Sequence, residues 1–190
     1  MTGARRLSQA ISEGDGISVI ATVADAGAAE AAETQGAEAI ALGGSVPDVR
    51  TATSLPVLWL PASDPADADA CVVVVEESDG DSLEERYHAA VERGLECVVD
   101  VRTEEELELA LERIEPEIFL ISPRGGDGDD DPLERVLDLL PDVPAGKLAI
   151  ADVPGADRET VVALERAGFD AVLVAVGDVA HLVAAEPPPV

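Results

Sequence analysis

Asp100, Arg102, Ser122, Arg124 and Asp152 are the residues whose types and placing suit chemistry, because each stands at or just past the end of a short apolar run. Two carboxylates in unlike surroundings can divide the work of general acid and general base. A guanidinium beside them can anchor an anion through paired N–H donors. Asp100 and Asp152 are therefore candidate catalytic residues, and Arg102, Ser122 and Arg124 candidate ligand-binding residues. Gly155 and Gly177 follow later runs, where bare backbone N–H groups can approach a phosphate. The plainer reading of the five polar residues is an ion-pair network that plugs the top of the fold.

Other groupings carry less chemistry. Gly43-Gly44-Ser45 offers a small backbone cradle, and a tight turn explains it equally well. The acidic stretch Gly125 to Asp131 has the composition of a calcium loop but lacks the closing glutamate and flanking helices of an EF-hand. His88 and His181 fall on expected outer helices. Cys71 and Cys97 lie in neighbouring expected strands and read as two buried thiols in a reducing compartment, with a disulfide or metal pair as the alternative. Asp157 and Asp178 read as helix N-caps. The reading calls for no cofactor and no metal.

The elements that position these residues announce themselves by a recurring signature: a helix end, a glycine, an apolar residue, an acid, then a β-branched run. It appears at Gly36-Ala37-Glu38, at Gly94-Leu95-Glu96 and at Gly168-Phe169-Asp170. Glycine tolerates the left-handed conformation that ends a helix, so this is the αβ turn of an alternating α/β chain. Ser82 with Glu85 and Thr103 with Glu106 fit capping boxes, and Asp131-Pro132 fits an N-cap followed by proline at the first helical position.

Eight apolar runs read as strands, near Ile17–Val23, Ala39–Leu42, Val57–Leu60, Cys71–Val75, Cys97–Val101, Ile118–Ile121, Lys147–Ala151 and Ala171–Val176. Several are continuous rather than alternating, as expected for parallel strands covered by helices. Eight βα units predict an α/β fold of the closed (β/α)8 TIM-barrel class, in which reacting groups stand at the C-terminal ends of strands. The chain is short for that class, which usually needs about 200 residues or more. The deficit falls between Leu60 and Cys71, so the third outer helix is expected to be very short or missing. An open doubly wound sheet is the alternative. The whole chain, 1–190, reads as one domain, with 1–15 as an N-terminal cap segment and 186–190 as an extended tail. Trp59 either fills the mouth or points outward where that helix is missing.

Ser54-Leu55-Pro56-Val57-Leu58-Trp59-Leu60-Pro61 resembles the third strand of the indole-3-glycerol-phosphate synthase family, typically S-L-P-V-L-R-K-D-F. Gly16 to Ala21 resembles the family's first strand, Cys97 to Glu106 its fifth and Asp170 to Val174 its last. The resemblance runs from about Ile11 to Val183. It implies a ribulose-phosphate-binding barrel and a set of functional positions. The first-strand glutamate corresponds to Thr22 and the lysine after it to Ala24. The catalytic lysine corresponds to Leu60. The fifth-strand glutamate is kept in type as Asp100. The sixth-strand N-N-R-D-L becomes Ser122-Pro123-Arg124-Gly125-Gly126, and the seventh-strand E-S-G resembles Asp152-Val153-Pro154-Gly155. After the last strand, G-E becomes Ala175-Val176. Leucine cannot donate a proton, so the resemblance implies the fold while withdrawing the synthase chemistry.

Forty acids against twelve bases give a formal charge of -28. Molar salt shortens the Debye length to about 3 Å and removes the self-repulsion such a charge creates. The composition is thus that expected of a halophile's protein. No basic stripe exists to replace counterions, which argues against nucleic acid and anionic lipid as partners. No apolar run reaches transmembrane length, and Arg5-Arg6 leads to Glu13 without an apolar stretch, so the expected location is cytoplasmic.

The expectation is a degenerate barrel of this family, without synthase activity, holding a small phosphorylated or anionic ligand at its C-terminal mouth. Two alternatives stay open. One is a diverged lyase- or isomerase-type enzyme using Asp100 and Asp152. The other is a non-catalytic interaction scaffold with its contact surface near residues 61–70.

Overall fold

In a computed structural model, which describes residues 5–14, 16–60, 67–76, 82–123 and 131–183, the eight runs are eight parallel strands. After helix α1 (Arg6–Glu13) come β1 (Ser18–Val23), α2 (Ala26–Gln35), β2 (Ala39–Leu42), a single-turn α3 (Val49–Ala52) and β3 (Val57–Trp59). β4 (Ala70–Val74), α4 (Ser82–Glu92), β5 (Glu96–Val101), α5 (Glu104–Arg113) and β6 (Ile118–Ile121) follow. The chain then forms α6 (Pro132–Leu139), β7 (Leu148–Asp152), α7 (Arg158–Ala167), β8 (Ala171–Ala175), a 3-10 turn (Val176–Asp178) and α8 (Val179–Val183). The strands pair in chain order and β8 closes on β1, so the sheet is a barrel and not an open doubly wound sheet.

Strand registers fix what fills it. Strands tilt in a barrel, so side chains at one height come from alternate strands and climb two residues per pair of strands crossed. Following the pairings, Ile20, Leu58, Val98 and Ile150 share one height. Ala41, Val72, Leu120 and Leu173 lie above them, and Ala39, Ala70, Ile118 and Ala171 below. All twelve belong to one apolar cluster, which Leu7 and Ile11 of α1 join from underneath. The alternate residues of the strands face outward into a second cluster shared with the helices. Trp59 belongs there, 3% exposed, and so points away from the mouth.

The acid of the recurring signature has a definite task at the bottom of the barrel. Glu38, just before β2, accepts the Val19 N–H of β1 at 2.7 Å. Asp170, just before β8, accepts the Ala149 N–H of β7 at 2.7 Å. Asp69, ahead of β4, accepts the Val57 N–H of β3 at 2.8 Å and the guanidiniums of Arg6 and Arg50. Glu96 turns instead to α1, where the Leu7 and Ser8 N–H groups point at its carboxylate. A negative charge there also complements the positive end of the helix. The signature glycines hold the required left-handed turns, with φ of 95° at Gly36, 81° at Gly94 and 108° at Gly168.

Thr103 caps α5, its hydroxyl accepting the Glu106 N–H, and Asp131 caps α6 ahead of Pro132. Between β3 and β4 no helix occurs among the described residues; residues 61–66, where the shortened helix was expected, lie outside them, as does the tail at 186–190. No helix among the described residues is long and apolar enough to cross a membrane.

Candidate functional site

One step above the apolar tiers, the same register rule places Thr22 of β1, Leu60 beyond β3, Asp100 of β5 and Asp152 of β7 at a common height. A strand turns successive side chains to opposite faces, so Trp59 faces out while Leu60 packs on the interior cluster. This tier is the floor of the mouth. Ser122, just past β6, stands one step higher. Its hydroxyl donates to Asp100 Oδ1 at 2.6 Å, and each residue is 2% exposed. Such a short bond to a carboxylate is the strong, charge-assisted kind. Asp152 is half-buried.

Arg102, in the turn between β5 and α5, is committed to a partner in the first turn of α5. Its Nε donates to Glu106 Oε2 at 3.0 Å, its Nη2 to Glu106 Oε1 at 2.5 Å and to the Val75 carbonyl at 2.5 Å. The Glu106 carboxylate also accepts the Arg102 backbone N–H at 2.7 Å. Glu106 therefore completes no reciprocal capping box with Thr103; it reaches one residue further back. Hydrogen bonding to Glu106, with the charges of Glu106, Asp100 and Glu76 behind it, raises the guanidinium pKa further above its ordinary value. Arg102 is thus a strut across the β4–β5 edge of the mouth. Glu106, 5% exposed, is the functional neighbour the sequence reading used only as a cap. The four-residue spacing to Arg102 was its signal. Arg124, and the acidic loop at 125–130, lie outside the described residues.

A cavity of about 250 Å³ opens where β7, β8 and β1 meet, lined by Thr22, Asp152, Gly155, Leu173, Ala175 and Asp178 among others. Gly155 takes a φ of 71°, which favours glycine, and both Gly155 and Gly177 are exposed and bordered by open space. The Thr22 hydroxyl is turned to the Val174 carbonyl at 2.9 Å. Two carboxylates on this wall oppose a bare anion. Asp157 is occupied as the cap of α7, and the bonds from the Thr160 N–H and hydroxyl hold its carboxyl below the usual range. A Cβ added at Gly43 or Gly44 meets nothing, so no close approach demands glycine there. His88 and His181 are exposed on the outer helices α4 and α8.

The structure thus brings Asp100, Ser122 and Asp152 to one mouth and sets Gly155 beside the same cavity, with Gly177 following β8. Arg102 sits at the rim, held by Glu106. No group of three or more His, Cys, Asp or Glu able to hold a metal occurs among the described residues.

Residues 60–179 match the family model described as indole-3-glycerol phosphate synthase. An indole-3-glycerol phosphate synthase of Geobacillus sp. is 30% identical over 165 residues, covering 77% of this chain and 64% of that protein. That of Geobacillus kaustophilus is 33% identical over 107 residues, covering 56% of this chain and 42% of the relative. The chain therefore spans less than two thirds of the length of these relatives. Among solved structures, the N-acetylmannosamine-6-phosphate 2-epimerase from Clostridium perfringens superposes with a TM-score of 0.69 at 15% identity, covering 87% of this chain and 88% of that one. The thiamine phosphate pyrophosphorylase from Pyrococcus furiosus gives 0.63 at 16% identity, covering 87% and 93%. These two share the fold.

Proposed function

Because this chain belongs to the indole-3-glycerol phosphate synthase family, we propose that it is a divergent member which no longer closes the indole ring and holds a small phosphorylated or otherwise anionic ligand at its C-terminal mouth. The observation that carries the reading is Leu60. It occupies the position of the catalytic lysine in the resemblance, in one tier with Asp100 and Asp152, and packs on the barrel's apolar interior. Ring closure that expels water needs a general acid. Lys147, the one lysine of the chain, stands before β7 and pairs with Glu117 at 3.5 Å, at the opposite end of the barrel. Arg102 cannot serve, since a guanidinium keeps its protons.

Ligand binding is supported by the cavity at β7, β8 and β1, its open glycine backbone and the half-buried Thr22 and Asp152 that line it. Asp152 and Asp178 weaken that site for an anion unless salt screens them, which suits a protein adapted to molar salt. We place it in such a cytoplasm, with neither nucleic acid nor membrane as partner. The test has two arms. Incubation with the carboxyphenylamino precursor of indole-glycerol phosphate is expected to yield no product. Thermal melts with a panel of phosphorylated sugars in molar KCl are expected to rise for at least one of them. Product formation overturns the loss of chemistry, and a flat panel overturns ligand binding.

The shared tier of Asp100 and Asp152 favours one second reading, a lyase- or isomerase-type enzyme using the two acids. Turnover that survives in both Asp100→Asn and Asp152→Asn removes it.

A further inference from the structure

We propose that Cys71 and Cys97 form a two-thiolate site for a soft monovalent cation of the copper(I) class, set in the outer wall of the barrel and separate from the mouth. The two residues are direct register partners in the parallel β4–β5 ladder. Both side chains project to the outer face, where each residue is 8% exposed within the cluster beneath the helices. Both thiols are free of any disulfide. Cys97 Sγ also lies 3.6 Å from the Tyr87 carbonyl oxygen of α4.

Geometry and ligand type select the ion. Neighbouring strands stand about 4.8 Å apart. Two metal–sulfur bonds of about 2.3 Å in a nearly straight line are of the same length as that spacing, so register partners on one face suit a two-coordinate ion. Thiolates prefer soft ions such as copper(I), whereas zinc needs four ligands and no third His, Cys, Asp or Glu joins the pair among the described residues.

Access and charge agree with the assignment. Cys97 lines an open groove of about 730 Å³, together with Tyr87, Val91, Gly94 and Leu95. The Arg93 guanidinium is the positive charge that acts on Cys71. On binding, two S–H bonds break, two metal–sulfur bonds form and two protons pass to solvent. The oxidation state of the metal is unchanged.

The test presents copper(I) as its bicinchoninate complex to the intact chain, without oxygen, in molar potassium nitrate. One equivalent of copper is expected to leave the chelator, with matching loss of its colour. Both thiols should then resist maleimide labelling, read by mass spectrometry. Cys71→Ala and Cys97→Ser should each abolish uptake while the far-ultraviolet circular dichroism stays unchanged. Where a variant fails to fold, thiol protection in the unaltered chain decides alone. Copper left on the chelator, labelling that copper does not slow, equal uptake by a folded single variant, or a Cys71–Cys97 disulfide formed in place of uptake overturns the proposal.

Discussion

Ser122 holds Asp100: a hydroxyl from just past β6 donates to a carboxylate at the end of β5 across 2.6 Å, with both residues buried. The bond ties two neighbouring strands at the level where the mouth begins. It also removes one of the aspartate's lone-pair sites from use on a ligand. A hydrogen bond to a charged group contributes about 1.5–3 kcal/mol. Ser122→Ala is therefore expected to lower the unfolding free energy by about 2 kcal/mol, measured by urea titration in molar KCl. A loss below about 0.5 kcal/mol means that the other groups around Asp100 carry its charge unaided.

The Arg102–Glu106 pair makes a second, separable prediction. The glutamate is almost wholly buried and the arginine side chain is 24% exposed, so the pair is only partly screened by solvent. Removing one partner of a buried pair costs about 3–5 kcal/mol, and partial exposure reduces this. Glu106→Ala is expected to destabilise by about 2–3 kcal/mol. Because the two side chains contact each other directly, Arg102→Ala and Glu106→Ala should couple by about 1 kcal/mol or more in a double-mutant cycle. Additive effects would show that Arg102 is available to a ligand after all.

The barrel was legible from the sequence because its evidence is local. Continuous apolar runs, glycines at helix ends and caps such as Thr103 and Asp131 all act within a few residues. The inward direction of Leu60 and the outward direction of Trp59 follow from strand alternation alone. What escaped depends on register, which the lengths of intervening loops set. Ser122 and Asp100 meet across the β5–β6 ladder, and Cys71 faces Cys97 only because β4 and β5 pair as they do. The acid in the glycine–apolar–acid signature was visible as a pattern, but its partner is an N–H on the preceding strand for Glu38 and Asp170, and one in α1 for Glu96. Periodicity shows which face a residue takes, not which neighbour it meets there.

A charge of -28 on 190 residues makes salt dependence a direct test of the setting proposed for this protein. Raising KCl from about 0.1 M to 1 M shortens the Debye length from about 10 Å to 3 Å. Repulsion among surface carboxylates should fall accordingly, and the melting temperature should rise steadily over that range. Sucrose, which also favours compact states but does not screen charge, serves as the control. Equal response to both would remove charge screening as the cause.

Glu33 on α2 and Glu38 at the bottom of the barrel should respond to pH in opposite senses. Glu33 of α2 accepts the Ser54 and Thr53 hydroxyls and the Ser54 N–H, and these bonds lower its pKa. A lowered folded-state value means that its contribution is fully present above the ordinary carboxylate range and is lost as pH falls through the folded value. Glu38 is the reverse. Burial raises its pKa and outweighs the Val19 N–H that it accepts, so its ionised form is the one folding disfavours. Its contribution is present below the ordinary range and lost as pH rises through the folded value. The expected outcome is a crossing of variants. Glu33→Gln should be less stable than the parent near neutrality and approach it below about pH 4. Glu38→Gln keeps an acceptor for Val19 without a buried charge, so it should equal or exceed the parent near neutrality and lose that advantage in acid. Melts of the three proteins across pH 3 to 7 at fixed ionic strength check both signs at once. Falling pH also relaxes the repulsion spread over the whole surface, so differences between variants, not absolute melting temperatures, carry the result.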